Sequence, residues 1–338
     1  MEDLAISIIK NKKALVFAGG GTLGTAHTSA IQSLSELGLD FSKIESFSGS
    51  SVGSILAMSL AAGANIEYIQ NKMNDTTFIE LEDRDFILLE GIHLLKRFGI
   101  HETENLSTFI SSILTDLVGN KDITFKQLHA VTGKWLTVTY LSLNYGRTIF
   151  ADHIYEPNSL VREAVIKSCS IPIFYEAYSK KISHNNIRTR TMDVDGGMEL
   201  NYPMIIPRLQ KYTTEEILGF NFYAQASTQA NSQDNSNNNL DIGQPGQPEE
   251  WQDSPTNIID FLYNLVQIIR KQAMKVHVDS EDWMSTIKIN VGSLTSTQFN
   301  LNSMEKAWLL AQGKLAVAEY IKELTHLLES NKYPLRQL

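Results

Sequence analysis

Cysteine is almost absent: Cys169 stands alone among 338 residues. No intramolecular disulfide can form and no cysteine-rich metal site can be built, and a single thiol fits a reducing compartment. Long apolar runs are missing as well. The most apolar window, Ile55 to Ala64, is too short to span a bilayer and reads as a buried helix. Positive charge is in deficit, 29 Lys and Arg against 38 Asp and Glu for a net −9. That balance argues against a nucleic-acid binder, which carries a basic stripe to neutralise phosphates. The N-terminus, Met1-Glu2-Asp3-Leu4, starts acidic and lacks the basic-then-apolar order of a signal peptide. These absences lead us to expect a soluble, cytoplasmic protein with no nucleic-acid partner. Membrane contact through a local basic patch or an apolar rim stays open.

The residues that are present suit a globular chain. Apolar residues make up 43% and charged residues 20%, enough to bury the core of one large α/β domain. One segment departs from this composition. Between about 225 and 256 the chain runs through Asn231 to Asn239, rich in Asn and Ser, and then Gly243-Gln244-Pro245-Gly246-Gln247-Pro248. Such a sequence cannot bury enough apolar surface to order itself, so a disordered insertion inside the domain is expected. After it come a strand from 286 and a long final helix to about 329, where Asn302 and Glu305 form a capping-box start.

The chain is organised around Gly49-Ser50-Ser51-Val52-Gly53, which lies between a strand-like run ending at Gly49 and a helix-like run of small and apolar residues. A serine on so sharp a strand-to-helix turn is held in a strained backbone conformation with its hydroxyl turned outward. Gly49 and Gly53 are small where strand and helix close on each other, and the helix aims its N-terminal amides towards the serine. A second strand-turn-helix unit precedes it. The apolar run Lys13 to Ala18 leads into Gly19-Gly20-Gly21-Thr22-Leu23-Gly24, after which Ala26, Ala30, Leu34 and Leu37 recur at helical spacing. Three consecutive glycines let the backbone turn its amides towards a phosphate or an oxyanion. The spacing also matches the dinucleotide fingerprint. That fingerprint needs an acidic residue at the end of the second strand, and here that strand ends in Gly49-Ser50-Ser51. No Gly-Lys-Ser/Thr follows, so the loop is not a P-loop.

Further along, residues 65–133 read as helical, with Thr103 as an N-cap and Gly119 and Gly133 as stops. The apolar residues between 86 and 98 form either a lid or a core helix. Strands are expected at Trp135 to Ser142, Arg147 to Ala151, Arg188 to Val194 and Ile217 to Tyr223, with a helix over Leu160 to Ser168. The Arg188 strand leads to Asp195-Gly196-Gly197. Asp193 and Asp195 share one strand face, so alternation does not choose between them. The two glycines favour Asp195, because they let the chain bend close to the serine.

Glycine loop, serine turn and Asp-Gly-Gly, in that order and each after an expected strand, resemble the patatin-like phospholipases. The likeness is clearest from about 12 to 203, where Asn201-Tyr202-Pro203 also falls at the family's spacing. It implies a three-layer α/β/α fold with a mainly parallel central sheet, in a single domain spanning 1–338. It implies a two-residue site with Ser51 as nucleophile and Asp195 as base. Gly19, Gly20 and Gly21 would form the oxyanion loop, supported by Gly24, Gly49, Gly53, Gly196 and Gly197. The run Ser168 to Phe174 would shape an acyl pocket. The implied activity is that of a lipid acyl hydrolase of the phospholipase A or lysophospholipase type, needing no metal or cofactor. The implied partners are a phospholipid or other lipid acyl ester, a peripheral membrane surface and, as in some family members, a protein activator. Basic residues Lys180, Lys181, Arg188 and Arg190 precede Asp195 and could meet anionic head groups. One departure is visible: Leu23 stands where the family usually has Lys or Arg. The rival expectations are a general serine esterase or thioesterase acting on soluble esters, and a non-catalytic lipid- or protein-binding module. None of the eight histidines lies where a hydrolase of the Ser-His-Asp kind would keep its base, and His27 reads as a packed core residue.

Overall fold

A computed structural model describes residues 1–75, 98–184, 187–224, 280–296, 298 and 301–333, with isolated positions between 262 and 269. The Asn-rich stretch at 225–256 and all but the last residue of 86–98 lie outside the described residues.

The element order is α1 (Glu2–Lys10), β1 (Ala14–Phe17), α2 (Gly24–Glu36), β2 (Ser46–Ser50), α3 (Val52–Ala61), α4 (Ile66–Asp75), β3 (Gly99–His101), α5 (Glu104–Val118) and α6 (Phe125–Thr132). It continues with β4 (Trp135–Ser142), β5 (Arg147–Ala151), α7 (Val161–Cys169), β6 (Ile173–Tyr175), β7 (Tyr178–His184) and β8 (Ile187–Asp195). The last elements are α8 (Ile205–Leu209), β9 (Ile217–Tyr223), α9 (Ser280–Met284), β10 (Thr286–Asn290) and α10 (Ser303–Glu329). Strands β10, β9, β1, β2 and β4 pair in that order and all run parallel. Strands β5 and β8 pair antiparallel with β4, and β7 pairs antiparallel with β8.

The register of β4 explains how the two candidate residues meet. Thr139 pairs with Ser50 and with Phe150, so β2 and β5 lie on opposite edges of β4. Tyr140 pairs with Ile149 and with Asp195, so β8 lies on the same edge as β2. The two strands therefore meet end to end along one edge. β2 finishes beside Thr139 and the antiparallel β8 finishes beside Tyr140. Each passes its next residues into the same gap.

Alternation separates the two faces of the sheet. Leu15, Phe17, Phe47, Leu136, Val138, Leu218 and Phe220 join the main core under the long helices. Ala14, Val16, Ala18 and Ile217 point the other way and pack on Tyr202 and Met204. Among the described residues this second layer is thin, made of the chain around α8 and of α9. The reason is visible in the strands: their residues on that face are small or polar, Ser48, Ser50, Thr137 and Thr139 among them, and offer little apolar area to bury.

Most expected elements fall where their patterns put them. Helices α1, α8 and α9 were not anticipated; Ala5 and Ile9 are the buried positions of α1. The helical reading of 65–133 is interrupted by β3, which pairs with β6. Strands of three residues carry too little pattern to announce themselves, and this pair exists because Gly99 lets the chains approach: a Cβ there would lie 2.2 Å from the Tyr175 carbonyl oxygen. Strand β7 completes a hairpin with β8 where only the β8 half was read as a strand.

Candidate active site

Ser51 is the residue between β2 and α3. Its φ of 51° and ψ of −130° lie where a residue with a Cβ rarely sits, and it is 2% exposed. The turn closes backbone against backbone. A Cβ on Gly49 would come within 2.3 Å of the Gly53 carbonyl oxygen, and one on Gly53 within 2.3 Å of the Phe17 carbonyl oxygen. The Ser54 amide and hydroxyl both donate to the Ser51 carbonyl, at 2.8 and 2.6 Å, fixing the first turn of α3.

The Ser51 hydroxyl donates to Asp195 Oδ2 at 2.7 Å. Asp195 Oδ1 accepts the Gly197 amide at 2.6 Å, and the Asp195 amide donates to the Ser170 carbonyl at 2.9 Å. The carboxylate is thus aimed from both ends. Gly196 and Gly197 allow the bend: a Cβ on Gly196 would lie 2.3 Å from the Thr139 carbonyl oxygen, and one on Gly197 would lie 2.5 Å from Asn201 Oδ1. Asp193, on the same strand face, pairs instead with Lys167 at 3.0 Å.

The glycine loop lies against the serine, since a Cβ on Gly19 would be 2.9 Å from Ser51 Cβ. Asn201 ties the loop down. Its carbonyl accepts the Gly19 amide at 3.0 Å and its side-chain amide donates to the Gly19 carbonyl at 3.0 Å. The Gly19 amide is therefore occupied and not open to a ligand, a correction to its place beside Gly20 and Gly21 as an oxyanion donor. Among the described residues, the Gly20 and Gly21 amides have no hydrogen-bond acceptor. Gly21 has a φ of +53°, which only glycine adopts freely, and a Cβ there would strike the Ser296 carbonyl oxygen. Gly24 gives room to Val52 at the foot of α3, where its Cβ would be 2.6 Å from Val52 Cγ2. Leu23 is buried in the apolar core, so no cation stands at that position.

Three contributions escaped the sequence reading. Ser168 Oγ accepts the Ser51 amide at 2.8 Å, Ser170 holds the Asp195 amide, and Asn201 clamps the loop. The signals were the Ser168-Cys169-Ser170 run and Asn201 itself, both of which stood out in the sequence without a bonding role. His27 is fully buried, with its Nε2 3.1 Å from the Ala18 carbonyl, and burial lowers its pKa to about 4. A neutral imidazole there donates from Nε2 and holds the start of the glycine loop.

An α/β sheet that presents a strained serine, a carboxylate and a glycine turn at one strand edge defines a class of hydrolase folds. The comparisons narrow this. Residues 15–207 match the family described as patatin-like phospholipase, and the chain belongs to that family. An uncharacterized protein of Acanthamoeba polyphaga mimivirus is 27% identical over 96% of this chain and 97% of its own length. Triacylglycerol lipase 4 of Saccharomyces cerevisiae is 30% identical over 48% of this chain, which spans only 18% of the yeast protein. The crystal structure of VipD from Legionella pneumophila shares the fold, with a TM-score of 0.56 at 15% identity, covering 93% of this chain and 67% of that one. Family and lipase relative together support hydrolysis of lipid esters. Among the described residues no helix is long and apolar enough to cross a membrane.

Proposed function

We propose that the protein is a lipid acyl hydrolase of the phospholipase A type, working through Ser51 and Asp195. The observation that carries this reading is the 2.7 Å hydrogen bond from the Ser51 hydroxyl to Asp195 Oδ2. Asp195 takes the hydroxyl proton as Ser51 Oγ attacks the ester carbonyl. The negative oxygen of the tetrahedral intermediate is held by the Gly20 and Gly21 amides, whose fixed dipoles need no reorganisation. As the intermediate collapses, the ester C–O bond breaks and Asp195 returns the proton to the leaving alkoxide. A water, deprotonated by Asp195, then attacks the acyl-enzyme. The fatty acid is released and Ser51 recovers its proton.

The substrate class is an acyl ester of a glycerophospholipid at a membrane surface. Strands β4, β5, β7 and β8 continue past the end of β2 and so rise beyond the edge that carries Ser51. Lys181 and Arg190 face each other there in register, both exposed, and among the described residues neither has an acidic partner. Like charges at directly opposed positions are unfavourable without a counter-ion, which suits an anionic head group. Lys180, in contrast, pairs with Glu163 at 3.2 Å.

The test is fatty-acid release from mixed phospholipid vesicles, with products read by mass spectrometry. Ser51→Ala is expected to lower release about a thousandfold or more. Equal release by wild type and variant would overturn the assignment, and wild-type turnover confined to short soluble esters would replace the lipase with an esterase.

A further inference from the structure

Asp193 and Asp195 are two residues apart on one face of β8, yet only Asp195 touches Ser51. Asp193 is 4% exposed and its Oδ2 lies 3.0 Å from the Lys167 ammonium, itself only 17% exposed. The ammonium also donates to the Tyr140 hydroxyl at 3.3 Å and sits 4.4 Å from the centre of the Tyr140 ring and 5.6 Å from that of Tyr178. Lys167 occupies a particular place in the chain. The next residue, Ser168, accepts the Ser51 amide, and Ser170 accepts the Asp195 amide. The end of α7 therefore holds both members of the candidate dyad, and the Lys167–Asp193 pair joins that end to β8.

We propose that Lys167 and Asp193 are positioning residues: their ion pair docks the end of α7 on β8, and its electrical neutrality keeps an uncompensated charge away from Asp195. The proposal rests on the reading of Ser51 and Asp195 as the dyad. A charge two residues along a strand stands about 7 Å away. In a partly buried setting an unpaired charge at that range moves a neighbouring carboxylate by about one pH unit. The sign depends on which partner is removed. Asp193→Asn leaves the Lys167 cation, which favours the Asp195 carboxylate and makes it a weaker base. Lys167→Met leaves the Asp193 anion, which does the opposite.

The other charged and titratable groups around the pair come from several elements. Helix α7 contributes Glu163 and Arg162, and β7 contributes Tyr178 and Lys180. From β4, Tyr140 donates its hydroxyl to Glu156 at 3.0 Å. Both tyrosines are pushed above the ordinary phenol range, first by burial and then by these carboxylates, so they stay neutral wherever the enzyme would be assayed. Glu163 is neutralised by Lys180. None of these groups replaces the missing partner of a broken Lys167–Asp193 pair.

The experiment is the pH profile of kcat/KM on a soluble ester, for wild type, Asp193→Asn, Lys167→Met and the double variant, with folding followed by circular dichroism. The acidic limb is expected to move down by about one unit in Asp193→Asn, up by about one unit in Lys167→Met, and back to the wild-type position in the double variant. The double variant leaves no charge at the pair, so it keeps the test alive if a single variant folds poorly. A merely structural pair would lower kcat in both single variants without moving the limb in opposite directions, and that result would overturn the proposal while leaving the dyad intact. Activity that survives Ser51→Ala would remove the dyad, and the proposal with it.

Discussion

The two halves of the candidate catalytic edge are built by different means. On the parallel side, β1, β2 and α3 meet through glycines, and what positions Ser51 is the lack of side chains at Gly49 and Gly53. On the antiparallel side, Gly196 is also closed on backbone, but Asp195 is in addition bonded at both ends, its amide to the Ser170 carbonyl and its Oδ1 to the Gly197 amide, and the Lys167–Asp193 pair lies alongside. Steric closure tolerates no added atom. A bonded framework loses one contact at a time. The difference predicts an all-or-none response where a glycine is filled and a graded one where a bond is removed.

The strongest way to expose this contrast is Gly53→Ala. Its methyl would meet backbone atoms of Phe17, which cannot move without disturbing β1, so a loss of about 3 kcal/mol or a failure to fold is expected in urea denaturation. Gly63 offers the control. It has a φ of +94° but nothing within 4 Å of its Cβ position, so alanine there should cost only the backbone strain, about 1–2 kcal/mol. Equal losses at the two sites would break the steric half of the comparison.

Ser168→Ala probes the bond that the end of α7 makes to the serine turn. It leaves the buried Ser51 amide without an acceptor, which costs about 1–3 kcal/mol, and lets the turn relax. We expect kcat to fall about tenfold with KM unchanged. A change in KM alone would mean that Ser168 serves binding and not the placement of Ser51.

The smallest effect concerns a second buried lysine far from this edge. Lys12 is 2% exposed and its ammonium donates to the Ile217 carbonyl at 2.9 Å. Burial lowers its pKa from 10.5 to about 7, against a smaller opposing pull from Glu215. Between those values the unfolded chain binds more protons than the folded one, so this group makes stability rise with pH. Lys12→Met is expected to flatten the rise in Tm between pH 7 and 9, as followed by thermal melts at low salt.

Much of the fold was legible in the sequence. Trp135 to Ser142, Arg147 to Ala151 and Ile217 to Tyr223 announced themselves as strands by their β-branched and aromatic content, and Asn302 with Glu305 marked the start of α10. These are local signals, carried by neighbouring residues, and they survive without tertiary context. β3 and β6 did not appear because three residues cannot express a period. The thin second layer could not be read either, since it depends on which face of each strand turns away from the helices.

What the sequence by itself determined is the set of backbone conformations at the site. Gly49 and Gly53 bracket a strand-to-helix turn that holds its central residue as Ser51 is held, and Gly196 and Gly197 let the chain bend after Asp195. What the tertiary structure alone decided is which polar groups meet. Asp193 and Asp195 are equivalent by alternation, and although the glycines that follow favour Asp195, the partner of each was fixed when β8 ended against β2 along β4 and α7 brought Lys167 to Asp193. The physical reason is range. The residues of the serine turn are neighbours in the chain, whereas the Ser51–Asp195 hydrogen bond joins residues 144 apart, so distant segments must be placed before it can form.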